Sequence, residues 1–224
     1  MQHTDKSFDR ELQDLKNNIL KMGSLVEEMI TFSMKSVVDR DEKVARKVIE
    51  MDPVVNQMEI AVDQLCLQLL ALRQPAASDL RFITIGLRIS KDLERMADLA
   101  VNVSEVSIEL NKEPQLKPYR DLPMMGEKTR AMVKDALDAF VEQDSEKAHH
   151  VCQLDDEIDD LNRKIYRELV EMMKSSSEYV SRCVQLLFIA RHYERIADHA
   201  TNIAEEVIFM VKGQDIRHGQ TQGG

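Results

Sequence analysis

Glycine, proline and aromatic residues are all scarce in this chain of 224 residues. It has 7 glycines and 5 prolines, where average usage predicts about 16 and about 11, and it has no tryptophan. So few turn-forming residues argue against the many short connections of a β-sandwich or β-barrel. The 13 methionines and the 31% of charged residues suit long helices instead. The composition therefore predicts an all-α fold.

An excess of basic charge and long apolar runs are lacking too. The 30 basic and 40 acidic residues leave a net charge of −10, which argues against nucleic acid as a partner because sequence-independent binding needs cations. The longest apolar run, residues 184–190, is too short to span a bilayer, and the polar first seven residues hold no signal-peptide core. We therefore expect a cytoplasmic protein.

Cysteine is scarce, and its spacing matches no disulfide or zinc-binding motif. Cys66, Cys152 and Cys183 are widely spaced and form no CxxC motif. Neither a disulfide framework nor a zinc knuckle is predicted, and the three are expected to be small buried side chains in a reducing compartment.

Apolar residues recur at steps of three and four, the spacing of one helix face, from Leu12 through Leu15, Ile19, Met22 and Val26 to Met29. The predicted helices are 5–38, 42–73, 79–112, 124–142, 146–174 and 178–212, with Ser78 or Asp79 and Ser145 as N-caps, a turn at 175–177 and a stop at Gly213. Pro114, Pro118 and Pro123 predict a connector. The predicted domains are thus 1–112 and 124–212, joined by 113–123 and followed by a disordered tail, 213–224.

An internal repeat organises the chain. Residues 92–102, from Asp92 to Asn102, align without gaps on residues 192–202, from His192 to Asn202, with six identities. Three helices followed by the same three again predict two tandem antiparallel three-helix bundles, in which each helix buries its apolar stripe within its own half.

Polar side chains, most of them acidic or amide, form stripes at steps of three and four on the second and third helices of each half. The first half has Asp52, Asn56, Glu59 and Asp63 on one helix, and Lys91, Glu94, Asp98, Asn102 and Glu105 on the other. The second half has Asp155, Asp159 and Asn162, and Arg191, Glu194, Asp198, Asn202 and Glu205. In the last helix this face lies away from the apolar stripe of Ile189, Tyr193, Ile196, Ala200 and Ile203, so it is expected at the bundle surface.

An antiparallel hairpin of the second and third helices would bring these stripes face to face. Asn56 and Glu59 would then oppose Asp98 and Glu94, and Asp155 and Asp159 would oppose Asp198 and Glu194. Two carboxylates about 6 Å apart repel by roughly 3 kcal/mol at an effective dielectric constant near 20, and by less when solvated. A hard cation would relieve that repulsion, since an all-oxygen ligand set suits magnesium, calcium, manganese or iron.

Simpler interpretations remain open from the residues alone. The stripes can be a solvated acidic face with scattered ion pairs, in which Arg95 and Arg195 act as counter-ions. Asp52 precedes Pro53 and can instead be the N-cap of a helix that breaks or kinks there. Four histidines, His149, His150, His192 and His199, either add ligands or are ordinary surface and capping residues.

From about residue 8 to residue 212 the chain resembles the PhoU family of bacterial phosphate-regulon accessory proteins. The resemblance rests on residues 56–59 followed by Asp63 and Cys66, on 73–75, 79–81 and 92–95 through Asp98, and on the weaker echo in 155–159 and 193–195 through Asp198. The chain departs from the family pattern at Pro53. Its second half also departs from the first, because it has Asn162 and Tyr166 at the positions that match Glu59 and Asp63.

This resemblance implies a cytoplasmic homodimer without catalysis that reaches the membrane only through partner proteins. It implies negative control of phosphate uptake, exerted between a Pst-type phosphate importer ATPase and a PhoR-type sensor histidine kinase. Some family members hold clusters of metal, iron or zinc among them, which assigns metal ligation here to eight carboxylates: Glu59, Asp63, Glu94, Asp98, Asp155, Asp159, Glu194 and Asp198. Asp52, Asn56, Asn102 and Asn202 are secondary candidates, and manganese or magnesium are further candidate ions.

Two other classes of protein fit the sequence less well. A carboxylate-bridged di-iron enzyme needs an inward-facing Glu-x-x-His motif, and Ala97 and Ala197 occupy the histidine position. A store of metal or phosphate would need a cavity that the sequence does not indicate.

Overall fold

The computed structural model describes residues 2–213, with side chains from residue 7 onward. Six long helices account for almost all of this range, which contains no β-strand: α1 (Gln2–Val38), α2 (Glu42–Arg73), α3 (Ala77–Leu110), α4 (Asp121–Glu142), α5 (Ser145–Ser175) and α6 (Val180–Lys212). A 3-10 turn, Ser177–Tyr179, precedes α6. The all-α prediction is confirmed, and the predicted tail beyond Gly213 lies outside the described residues.

Two proline predictions need correction. Helix α4 begins at Asp121, so Pro123 belongs to its first turn and not to the connector. A proline costs little there, because the first N–H groups of a helix have no partner within the helix. Pro53 lies inside α2, which runs unbroken past it, with its ring on the solvent side. Asp52 is therefore not an N-cap.

The side-chain N-caps of α2 and α5 are both aspartates. Asp41 accepts hydrogen bonds from the backbone N–H groups of Lys43 and Val44 at the start of α2. Asp144, and not Ser145, caps α5 in the same way. Helix α3 starts after Ala76 without a side-chain cap, which places Ser78 and Asp79 in its first turn. Gly213 ends α6 in the left-handed conformation, as predicted.

Each half packs as an antiparallel three-helix bundle, α1–α3 and α4–α6. The predicted stripes lie in the core: Leu15, Ile19, Met22, Val26 and Met29 of α1 are fully buried, as are Ile189, Tyr193, Ile196, Ala200 and Ile203 of α6. Leu12 is partly buried against the core. Cys66 and Cys183 are buried and Cys152 is half-buried, and all three are free thiols.

The two halves share one core, which the within-half packing expectation missed. Helix α3 packs along α6, and α1 packs along α4. The hydroxyl of Tyr193, in α6, lies 2.7 Å from the hydroxyl of Ser33, in α1, and both groups are buried. Gly126 of α4 allows close approach of α1, because a Cβ there would lie 2.8 Å from Cε of Met34. The two repeats therefore share a continuous core, and the carboxylate hairpins lie on its outside.

Candidate functional site

The hairpin α2–α3 brings the first pair of stripes together. Nζ of Lys91 in α3 lies 3.1 Å from Oε1 of Glu59 in α2. One turn along, the hydroxyl of Ser90 donates to Oδ1 of Asp63 at 3.5 Å. These contacts agree with the predicted antiparallel register. They also show that a lysine lies between the two acidic stripes.

Basic side chains neutralise part of this first group. Lys91 contacts both Glu59 and Glu94, the latter at 3.2 Å, and so bridges the two helices. Arg95 contacts Glu94 at 3.5 Å and Asp98 at 3.2 Å. The counter-ion role considered for Arg95 is therefore present. The bridging role of Lys91 was missed, although its place in the stripe was visible in the sequence.

One carboxylate oxygen of the first group remains unsatisfied all the same. Oδ1 of Asp52 is buried and accepts no hydrogen bond within the described part of the chain. The other oxygen of Asp52 accepts from the amide of Asn56 at 2.9 Å. Burial and the nearby charge of Asp98 raise the pKa of Asp52. Burial and the charge of Glu59 do the same to the pKa of Asp63. The group is short of positive charge or protons.

The second group, on α5 and α6, has less internal compensation. Burial first, and then the charges of Asp198 and Asp159, raise the pKa of Asp155. Burial also raises the pKa values of Glu194 and Asp198, against the opposing charge of Arg191. The effect of Asp198 on Asp155 acts between α6 and α5 and agrees with the predicted facing of the two stripes.

The cations near the second group stay on the helix of their partners. Arg191 contacts Glu194 three residues along α6. Arg163 contacts Asp159 at 3.4 Å within α5. In the described ion pairs no cation joins the α5 and α6 carboxylates of this group as Lys91 joins Glu59 and Glu94, and the α5–α6 pair of Glu146 and Lys212 lies at the start of α5 and the end of α6. A cation from outside would therefore find more uncompensated charge in the second group.

The carboxylates do not already form a closed metal cage. Nowhere in residues 7–213 do three histidine, cysteine, aspartate or glutamate side chains converge closely enough to share one ion. The predicted ligands lie together as facing rows, and their side chains would have to turn to coordinate an ion. The chemistry of the donor set suits a hard cation, and the unsatisfied buried oxygen of Asp52 fits one.

The candidate histidines and the secondary candidates Asn102 and Asn202 add no ligand to the facing rows in this structure. Nδ1 of His199 lies 2.8 Å from Oδ1 of Asp92, so this histidine links α6 to α3. Burial lowers the pKa of His192, which favours its neutral form. Asn102 is half-buried and Asn202 is exposed on α6. His150 is exposed and His149 half-buried at the start of α5.

The geometry also bears on the di-iron alternative. Ala97 and Ala197 are fully buried, whereas the candidate ligands on their helices, Glu94, Asp98, Glu194 and Asp198, are partly or fully exposed at the bundle surface. A di-iron carboxylate site is built from inward-facing side chains. The fold and site therefore define a duplicated helical bundle that displays acidic hairpins outward.

Comparison with known proteins identifies this class. The family model described as "PhoU domain" matches twice, over residues 19–107 and 122–207. The chain belongs to the PhoU family. It is 40% identical over 217 residues to a phosphate-specific transport system accessory protein PhoU homolog from Pseudomonas aeruginosa, covering 96% of this chain and 90% of that protein.

Solved structures agree with the fold. The crystal structure of PhoU from Pseudomonas aeruginosa matches with a TM-score of 0.90 and 39% identity, covering 92% of this chain and 100% of that one. The phosphate transport system regulatory protein PhoU from Streptococcus pneumoniae matches with a TM-score of 0.87 and 33% identity, covering 93% of this chain and 98% of that one. None of the helices described here combines the length and hydropathy needed to cross a bilayer.

Proposed function

We propose that this chain is a non-enzymatic accessory regulator of phosphate transport that restrains phosphate uptake and phosphate-starvation signalling. It acts in the cytoplasm as a homodimer, as an adaptor between a Pst-type phosphate importer ATPase and a PhoR-type sensor histidine kinase. The observation that carries this proposal is the match of both repeats, over nearly the whole chain, to proteins named as accessory or regulatory in phosphate transport.

The proposal includes metal ions bound at the two carboxylate groups. In the first half the ligands would be Glu59, Asp63, Glu94 and Asp98, with Asp52 added because one of its oxygens is buried and unsatisfied. In the second half they would be Asp155, Asp159, Glu194 and Asp198. The raised pKa values of Asp52, Asp63, Asp155, Glu194 and Asp198 support this, because groups that resist ionising together gain from a cation. Iron, zinc, manganese and magnesium are the ions to test.

The regulatory role is tested by deleting the gene and measuring a phosphate-starvation reporter in phosphate-rich medium. We expect constitutive expression, which the intact gene supplied in trans represses again. Normal repression in the deletion strain would remove the regulatory role.

The metal sites are tested by calorimetry on metal-depleted protein. We expect uptake of several ions with micromolar affinity or better. Glu94→Ala/Asp98→Ala and Glu194→Ala/Asp198→Ala should each lose the ions of one half. Glu171→Gln, which removes an exposed charge from α5 away from the second group, is the matched control and should bind as before. Unchanged binding in both double variants would refute the site assignment.

A further inference from the structure

The outward side of α2 carries no charge over five turns. We call it the α2 outer face, and its exposed residues are Pro53, Val54, Gln57, Ile60, Ala61, Gln64, Leu67, Gln68, Ala71 and Leu72. Its larger aliphatic side chains are strongly exposed, Ile60 at 53% and Leu67 at 61%. Aliphatic residues gathered on one exposed face are unusual in a monomer and mark an interaction surface.

The internal repeat supplies a control for this observation. Helix α5 occupies in the second half the place of α2 in the first, and its buried residues match those of α2 at an offset of 103: Ala45 with Ala148, Val48 with Val151, Val55 with Ile158, Val62 with Ile165, and Cys66 with Leu169. The same offset aligns the ten residues of the α2 outer face with Asp156, Glu157, Asp160, Arg163, Lys164, Arg167, Val170, Glu171, Lys174 and Ser175. Eight of those ten are charged.

The fold does not require the uncharged face. Both helices pack inward through the same positions, so the outward positions of α2 are free to carry the charges that α5 carries. A solvated helix face ordinarily has such charges. The loss of every charge in one repeat and not in the other indicates that the α2 outer face is covered in the working protein.

We propose that the α2 outer face packs against the same face of a second copy of this chain. A chain with a net charge of −10 repels its own copies, and a face without charge is where two of them meet without opposing like charges. Gln57, Ile60, Gln64, Leu67 and Ala71 follow the alternating steps of four and three that pair two helices along a seam. Twenty residues of helix extend for about 30 Å, which is long enough for a continuous seam between two paired helices.

This inference rests on the homodimer named in the proposed function and assigns its surface. The surface is distinct from the carboxylate groups, because Asp52, Glu59 and Asp63 face α3 on another side of the helix. Gln64 lies near the middle of the face. A two-fold axis through its centre therefore brings Gln64 beside its copy, whichever way the two helices run.

The first experiment is a crosslink on the full chain. Gln64→Cys should form a disulfide-linked dimer under mild oxidation, whereas Arg167→Cys, at the matching position of α5, should stay uncrosslinked. The native thiols give little background, because Cys66 and Cys183 are buried and Cys152 is half-buried. Absence of the Gln64→Cys dimer, or equal crosslinking of both variants, would overturn the proposal.

The second experiment transfers the α5 residues to α2. The double variant Ile60→Arg/Gln64→Arg gives the α2 outer face the two arginines that α5 has at the matching positions 163 and 167. Its dimer dissociation constant, measured by light scattering or sedimentation, should be at least 100-fold higher. Arg167→Gln is the control and should dimerise as the unchanged chain does. Metal calorimetry and circular dichroism should not change in either variant. If the double variant loses its helical signal, the crosslink decides.

The outcomes separate this inference from the homodimer itself. If the unchanged chain is monomeric at tens of micromolar, both the homodimer and its assigned interface are refuted. A dimer that persists in Ile60→Arg/Gln64→Arg would leave the homodimer standing and place its interface elsewhere.

Discussion

Neutralising the second carboxylate group should make the metal-free protein more stable and remove its stabilisation by metal. The change is Asp155→Asn/Asp198→Asn, which keeps the size of both side chains. Their pKa values in the folded protein are raised, first by burial and then, for Asp155, by the charge of Asp198. An acid whose pKa is raised by folding destabilises the folded state above that raised pKa, and this penalty disappears as pH falls below the ordinary pKa.

The magnitude follows from the partial exposure of the group. Two unit charges about 6 Å apart repel by roughly 3 kcal/mol at an effective dielectric constant of 20, and by under 1 kcal/mol in water. Asp198 is exposed, so we take about 1 kcal/mol at pH 7. For a chain of this length that corresponds to a rise in Tm of about 2–4 °C. When the free metal concentration is 100 times the Kd, binding stabilises the unchanged protein by about 2.7 kcal/mol, which exceeds the gain from the substitution.

The assay is thermal unfolding followed by circular dichroism, with chelator and with excess divalent metal, at pH 7 and at pH 4. At pH 7 the variant should melt above the unchanged protein in chelator and below it in metal. At pH 4 the difference in chelator should shrink. Glu171→Gln should shift neither comparison. A variant that melts lower in chelator, or that responds to metal as the unchanged protein does, would refute the reasoning.

Two further predictions test the counter-ion and the shared core. Lys91→Met removes the cation between Glu59 and Glu94, so a metal ion that takes its place should bind about tenfold more tightly by calorimetry, and unchanged or weaker affinity would contradict this. Tyr193→Phe removes a buried hydroxyl that lies 2.7 Å from Ser33 of the other half, and it should lower the free energy of unfolding by about 1 kcal/mol in urea. A loss below a few tenths of a kcal/mol would mean that this contact does not help to hold the halves together.

The sequence alone determined the helices and the facing acidic rows. Scarce turn residues and apolar steps of three and four predict six long helices, and the repeat predicts two bundles, because a stripe one face wide must be buried by neighbours. The antiparallel register then follows from the short connection after α2. Errors fell at helix ends, where Asp144 and not Ser145 supplies the cap and where Pro123 fits a first turn. Local alternatives there differ by about 1 kcal/mol, and packing chooses between them.

Only the tertiary structure decided what surrounds each row. The two halves share one core because apolar surface on α3 and α6 stays uncovered by each three-helix bundle and packs together. Sequence spacing within one helix does not predict which surface the bundle leaves uncovered. Likewise Lys91 bridges two helices whereas Arg191 contacts only its own helix in the described ion pairs, although the two occupy matching positions in the repeat. Spacing along a helix determines which side chains share a face, but the reach between helices depends on their separation and on rotamers, which form only when the bundle packs.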